Sequence, residues 1–107
     1  MTEAEAMQCL WDAVGIFIWC AESVDPPTGV TEIDLGESGI TDSDLRYLRH
    51  FPKLRWLCLE DTAISDDGLR HLKSLNSLPQ IDLNGTMVSA DGVSSLQEML
   101  LHCNITW

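Results

Sequence analysis

Four cysteines, three histidines and seventeen carboxylates carry whatever chemistry this 107-residue chain could perform. Cys9, Cys20, Cys58 and Cys103 are widely spaced and contain no CxxC pair, which argues against a zinc site or a redox dithiol. Cys58 is the candidate nucleophile. A reactive thiol needs an electropositive setting, and the expected neighbours of Cys58 are the acids Asp34 and Asp82. His50, His71 and His102 fall at unrelated positions, so none is expected beside that thiol to act as its base. No Gly-rich phosphate loop, GxSxG or HExxH occurs. The expectation is a protein that is not an enzyme, with no catalytic residues, no resident metal and no cofactor.

The same residues read differently once their spacing is considered. Three stretches repeat at an interval of 24 residues: Val30 to Ile40 (VTEIDLGESGI), Leu54 to Ile64 (LRWLCLEDTAI) and Leu78 to Val88 (LPQIDLNGTMV). Apolar residues recur at repeat positions 1, 4, 6 and 11, and position 9 holds Ser38, Thr62 and Thr86. A fixed period of this size is the signature of a solenoid. In positions 3 to 6 apolar and polar residues alternate, so each repeat opens with a strand whose inward residues are Ile33/Leu57/Ile81 and Leu35/Leu59/Leu83. The intervening residues then form two outward rows. Position 3 gives Glu32, Trp56, Gln80 and Asn104; position 5 gives Asp34, Cys58, Asp82 and Thr106. Adjacent strands lie ~4.8 Å apart, so each row is contiguous. Glu37, Glu60 and Asp61 line the turns just beyond. The face holds six carboxylates with Arg55 as its only base. Trp56 stands on a polar face that does not need it for folding, and Trp is among the residue types most enriched in binding hot spots. The candidate binding residues are therefore Glu32, Asp34, Arg55, Trp56, Cys58, Glu60, Asp61, Gln80 and Asp82. A cation on the Asp34/Asp82 row is disfavoured, because those residues sit two strands apart, ~10 Å.

After each strand comes a helix start. Thr41, Ser65 and Ser89 stand as N-caps, and Asp42, Asp44, Asp66, Asp67 and Asp91 put carboxylates in the first turn, facing the positive end of the helix dipole. Leu45/Leu69/Val93 and Leu48/Leu72/Leu96 lay one helix face on the sheet. Helices are expected near 42–50, 66–75 and 90–101, and strands near 32–35, 56–59 and 80–83. His102 begins a partial fourth repeat, with Ile105 and Trp107 closing the core. On the helical side Arg46 and Arg70 share one position and Arg49 and Lys73 another. Together with Tyr47 and His71 they read as a solvated face.

Residues 1–29 break the period. Thr2-Glu3-Ala4-Glu5 fits a capping box, and Ala6, Met7, Leu10, Trp11 and Val14 make one apolar helical face over 3–14. Ile16 to Trp19 is β-branched and aromatic, and reads as a strand. The loop from Ala21 to Gly29, with Pro26 and Pro27, is too short for a crossover helix, so that strand pairs antiparallel with Val30–Leu35. The segment reads as an N-terminal cap over the first repeat. The chain is organised as one domain: a cap (1–29), repeats 30–53, 54–77 and 78–101, and a closing strand (102–107).

These motifs resemble the leucine-rich repeat family, whose pattern is LxxLxLxxN/CxL. Leu54-Arg55-Trp56-Leu57-Cys58-Leu59-Glu60-Asp61-Thr62-Ala63-Ile64 matches it with Thr62 at the Asn/Cys position. The Ile-Thr/Ser-Asp-x-Gly-Leu continuation is similar to a short bacterial subtype and to repeats of F-box-type substrate receptors. Leu101, Cys103 and Ile105 resemble the closing segment of such bacterial proteins. The resemblance spans residues 30–107. It implies an α/β fold, a short right-handed solenoid with a parallel concave sheet and convex helices, which binds through the concave sheet without catalysis. Where the family has Asn or Cys, this chain has Ser38, Thr62 and Thr86, so hydroxyls must satisfy the turn backbone. No F-box-like segment is seen before the repeats.

Charge narrows the partner. The formal net charge is −11, which repels phosphate backbones and argues against nucleic acid. All six Lys and Arg lie between Arg46 and Lys73, so the cap carries no base. The apolar run Ala13 to Ala21 is too short for a membrane span and follows an acidic leader unlike that of a signal peptide. The expected setting is the cytoplasm, with free thiols. The expected role is binding another protein, a basic one, on the acidic face. The alternative is a structural protein that self-associates through the solenoid ends, with Ile16–Trp19 as an open sheet edge.

Overall fold

The computed structural model describes residues 3–14, 18–21, 30–75 and 78–107, with side chains described over 5–12, 30–75 and 78–107. Helix α1 (Glu3–Val14) and strand β1 (Ile18–Ala21) come first. Then follow β2 (Val30–Asp34), a 3-10 helix (Ser43–His50), β3 (Trp56–Cys58), α2 (Asp66–Leu72), β4 (Gln80–Asp82), α3 (Ala90–Met99) and β5 (Asn104–Thr106). The five strands form one sheet in chain order. β1 runs antiparallel to β2, while β2, β3, β4 and β5 are mutually parallel. The fold is thus α/β with a four-stranded parallel section. Thr2, Ile16 and Phe17 lie outside the described residues. The described part of the expected edge strand includes Ile18 and Trp19 and continues two residues further, to Ala21, through a register shift after Cys20.

The register of the parallel section is uniform. Glu32, Trp56, Gln80 and Asn104 align, as do Ile33, Leu57, Ile81 and Ile105, and Asp34, Cys58, Asp82 and Thr106. Ile33, Leu57 and Ile81 are fully buried, and Leu35, Leu59 and Leu83 nearly so. They meet Leu45, Leu48, Leu69, Leu72 and Leu96 from the helical layer in one core, which α1 joins through Ala6 and Leu10. At 25–30 cal/mol per Å² of apolar area, burying each such side chain stabilises by about 1.5–3 kcal/mol.

Three expectations change. Over Ser43–His50 the helix is 3-10, not α. At ~2.0 Å rise per residue its eight residues span about 16 Å, close to what ten residues of α3 cover at 1.5 Å. Trp107 does not close the core: it is 55% exposed, and Ile105 alone packs against the core from β5. Leu100 and Cys103 fill the space instead, at 2% and 6% exposure. The helix starts also differ. Ser89 caps α3 by accepting from the Gly92 N–H at 3.1 Å, but Ser65 makes no such bond and Asp42, not Thr41, is the residue before the 3-10 helix.

A set of bonds joins successive helix starts. Asp42 accepts from the Ser65 backbone N–H (2.8 Å) and hydroxyl (2.6 Å). Asp66 does the same for Ser89, at 2.8 and 2.6 Å. The aspartates thus tie each helix start to the next, and Ser89 both donates its hydroxyl to Asp66 and accepts from Gly92. This arrangement also explains two glycines. A Cβ at Gly68 would strike the Asp42 carboxylate, and one at Gly92 would strike that of Asp66. Ala90 stands where a third aspartate would be, and the row of bonds ends there.

Candidate interaction surface

The polar residues of β2, β3 and β4 leave the sheet on the side opposite the helices, since neighbouring strand residues alternate. The turns that follow each strand are built alike. The Ser38, Thr62 and Thr86 hydroxyls donate to the carbonyls of Leu35, Leu59 and Leu83 at 2.6, 2.8 and 2.7 Å. Each bond is local to its own turn. Asp34 Oδ1 accepts from the Gly36 N–H at 2.9 Å, and Asp82 Oδ1 from the Asn84 N–H at 3.0 Å. Glu37, Asp61 and Gly85 take the matching place in the three turns and all have positive φ, at 58°, 56° and 74°. Across turns, the Glu37 N–H donates to the Glu60 carbonyl and the Asp61 N–H to that of Asn84, both at 2.8 Å. Rigid turns therefore hold the carboxylates in place.

Two sub-regions result. An open groove of about 700 Å³ is lined by Thr31, Glu32, Arg55, Trp56, Pro79 and Gln80. Glu32, Arg55 and Gln80 are exposed there and Trp56 is half-buried. Two residues along the strands lies the second region, around Cys58, with Asp34 and Asp82 as flanking neighbours and Glu60 and Asp61 in the turn. Ligand-capable atoms of Cys58, Glu60 and Asp82 come within 4.8 Å of one another. Of the nine residues expected on this face, four line the groove and the other five gather in the acidic region. Thr31 and Pro79 line the groove without having been anticipated. They stand 24 residues before and after Arg55, so the row through Arg55 was the signal that could have found them.

Cys58 is the most buried of the nine expected residues. It points to the outer face yet is only 5% exposed, because a short side chain between longer neighbours sinks to the floor. Burial pushes its thiol up to about 11, and Asp34 and Asp82 add to the rise against the opposing hydrogen bond from the Glu60 backbone. At neutral pH it is a protonated thiol, the reverse of what a nucleophile requires. Glu60 is held above the usual carboxylate range, first by Asp82, then by Asp61, with Glu37 and Asp34 also contributing. A surface that raises the pKa of an exposed acid is one short of positive charge.

The opposite, helical side carries the bases. The Arg46 guanidinium donates to the Tyr47 hydroxyl at 2.7 Å and stacks 4.8 Å from its ring centre. His71 is pushed below its ordinary range by partial burial, then by Arg70, Arg46 and Arg49. Arg49 also sits 3.4 Å from His50, whose pKa is lowered by burial and by that charge. Among the described residues, no helix is long and apolar enough to cross a membrane, and Cys9, Cys58 and Cys103 are free thiols. The side chain of Cys20 lies outside the described set. Comparison with known proteins finds no family model that matches this chain and no match among curated proteins.

Proposed function

We propose that this chain is a short solenoid of the leucine-rich repeat type whose acidic sheet face binds a basic segment of another protein, without catalysis. The observation that carries the reading is the electrostatic state of that face: Glu60 is raised by four neighbouring carboxylates, beside a groove that offers the Trp56 ring. Like charges held this close cost folding stability, and a cationic partner removes the cost. The uniform 24-residue register supports the repeat reading, with residues 1–29 as cap, 30–101 as three repeats and 102–107 as closing strand. The protonated state of Cys58 supports binding over chemistry. Free thiols at Cys9, Cys58 and Cys103 suit the reducing cytoplasm.

A pull-down from lysate at low and high salt tests this. At 1 M salt the Debye length falls to ~3 Å, against ~10 Å at 0.1 M. A basic protein captured at low salt and released at high salt is the expected result; a captured set with no excess of basic proteins contradicts it.

One observation favours the alternative of self-association through an end of the sheet. Of the residues that flank the edge strand β5 in the chain, Leu101, Met99 and Trp107 are 76%, 58% and 55% exposed. Association through that edge would persist in high salt, and sedimentation at 1 M salt separates it from the first reading.

A further inference from the structure

We propose that the acidic face selects an extended segment carrying two cationic side chains two residues apart, of the form Arg-x-Arg or Arg-x-Lys. This rests on the binding reading above and adds the spacing. The face has two cation-attracting points. One is formed by Glu32 and Trp56, which are cross-strand partners and both line the groove. A guanidinium over an indole ring with a carboxylate beside it combines cation–π attraction with an ion pair. Arg55, in the same groove, offsets part of the charge there, so the first point selects mainly through the ring. The second point is formed by Asp34, Asp82 and Glu60 around the buried, protonated Cys58, and it selects through charge.

The distance between the points sets the motif. Trp56 and Cys58 are two residues apart on β3, as Glu32 and Asp34 are on β2, a separation of about 6.6 Å. An extended segment lying along the strands presents its alternate side chains at the same interval. A segment lying across the strands meets Asp34 and Asp82 about 9.6 Å apart. Alternate side chains leave an extended chain about 6.6 Å apart and must splay to reach that distance, and side chains three apart in an extended chain leave on opposite sides. Adjacent cations fail for the latter reason too.

The test is a calorimetric titration with three blocked peptides of equal length and charge, built from glycine and two arginines. One has the arginines adjacent, one has a single glycine between them and one has two. The expected result is binding about tenfold tighter for the single-glycine peptide, equivalent to ~1.4 kcal/mol. Trp56→Ala and Asp82→Asn should each remove that preference. Asp82→Asn keeps an oxygen for the Asn84 N–H, so the turn survives, and a thermal melt confirms that each variant is folded. Equal affinity for the three peptides overturns the spacing inference and leaves the basic-partner reading intact. No binding of any of them at low salt overturns both.

Discussion

Asp66 shows how a single residue can have a role that its local sequence hides. Its position in the first turn of α2 suggests interaction with its own helix, but its two oxygens are taken by Ser89. The Ser89 hydroxyl and then the backbone N–H hold the Asp66 carboxyl below its usual range. A depressed carboxyl pKa contributes stability that is present above the unfolded value and lost as pH falls through the folded one. Asp66→Ala should therefore lower stability at neutral pH and flatten the acid limb of a pH–melting curve. Glu60 has the opposite sign. Its pKa is raised, so its ionised form is disfavoured in the folded state. Glu60→Gln should raise the melting temperature at neutral pH, with the gain vanishing in acid. A melting series from acid to neutral pH on both variants checks the pair. Gly92 extends the argument. In an ordinary helix Gly→Ala stabilises by up to ~1 kcal/mol, yet here the methyl group meets the Asp66 carboxylate. Gly92→Ala should destabilise the parent and stabilise the Asp66→Ala protein by about 0.5–1 kcal/mol. Urea melts of the four proteins read the sign change directly.

Among the elements, the turns after β2, β3 and β4 do most to position the surface. Each demands a positive φ at its matching place, met by Glu37, Asp61 and Gly85. The left-handed conformation costs a residue with a Cβ about 1–2 kcal/mol. Gly85→Ala should thus destabilise by at least that amount, because the new methyl also meets Asp61. Glu37→Gly should be neutral or stabilising. Chemical denaturation of both variants decides this, and a tolerated Gly85→Ala would contradict the turn geometry. Much of this was legible beforehand. Alternation in Ile33/Leu35, Leu57/Leu59 and Ile81/Leu83 placed the inward and outward rows, because strand periodicity is local. The hydroxyls of Ser38, Thr62 and Thr86 were expected to serve the turns, and they do. What was not legible depends on residues far apart in sequence. The Asp42–Ser65 and Asp66–Ser89 bonds join positions 23 residues apart, and nothing local distinguishes such an aspartate from a cap. Positive φ had a visible trace only at Gly85. The depth of Cys58 depends on the lengths of its neighbours' side chains.

At the scale of the molecule, the charges described on the sheet face are nearly all acidic, whereas the helical side carries both signs. The sheet face holds six carboxylates, while Arg46, Arg49, Arg70 and Lys73 lie on the helices. The core between them is apolar and, among the described residues, leaves no buried side-chain nitrogen or oxygen without a partner. Folding therefore rests on the inward rows and the proposed binding on the outward ones, and adjacent residues of β3 separate the two. Leu57 is fully buried, so Leu57→Ala should cost ~2–5 kcal/mol through lost methyls and a cavity, out of a total stability of roughly 5–15 kcal/mol. Trp56 lines the open groove, so Trp56→Ala should cost far less in a melt. The direct test of the central claim is a titration of the single-glycine two-arginine peptide into folded Trp56→Ala protein at low salt. The account predicts affinity at least tenfold weaker than that of the parent, a loss of ~1.4 kcal/mol or more; affinity equal to the parent's would contradict it.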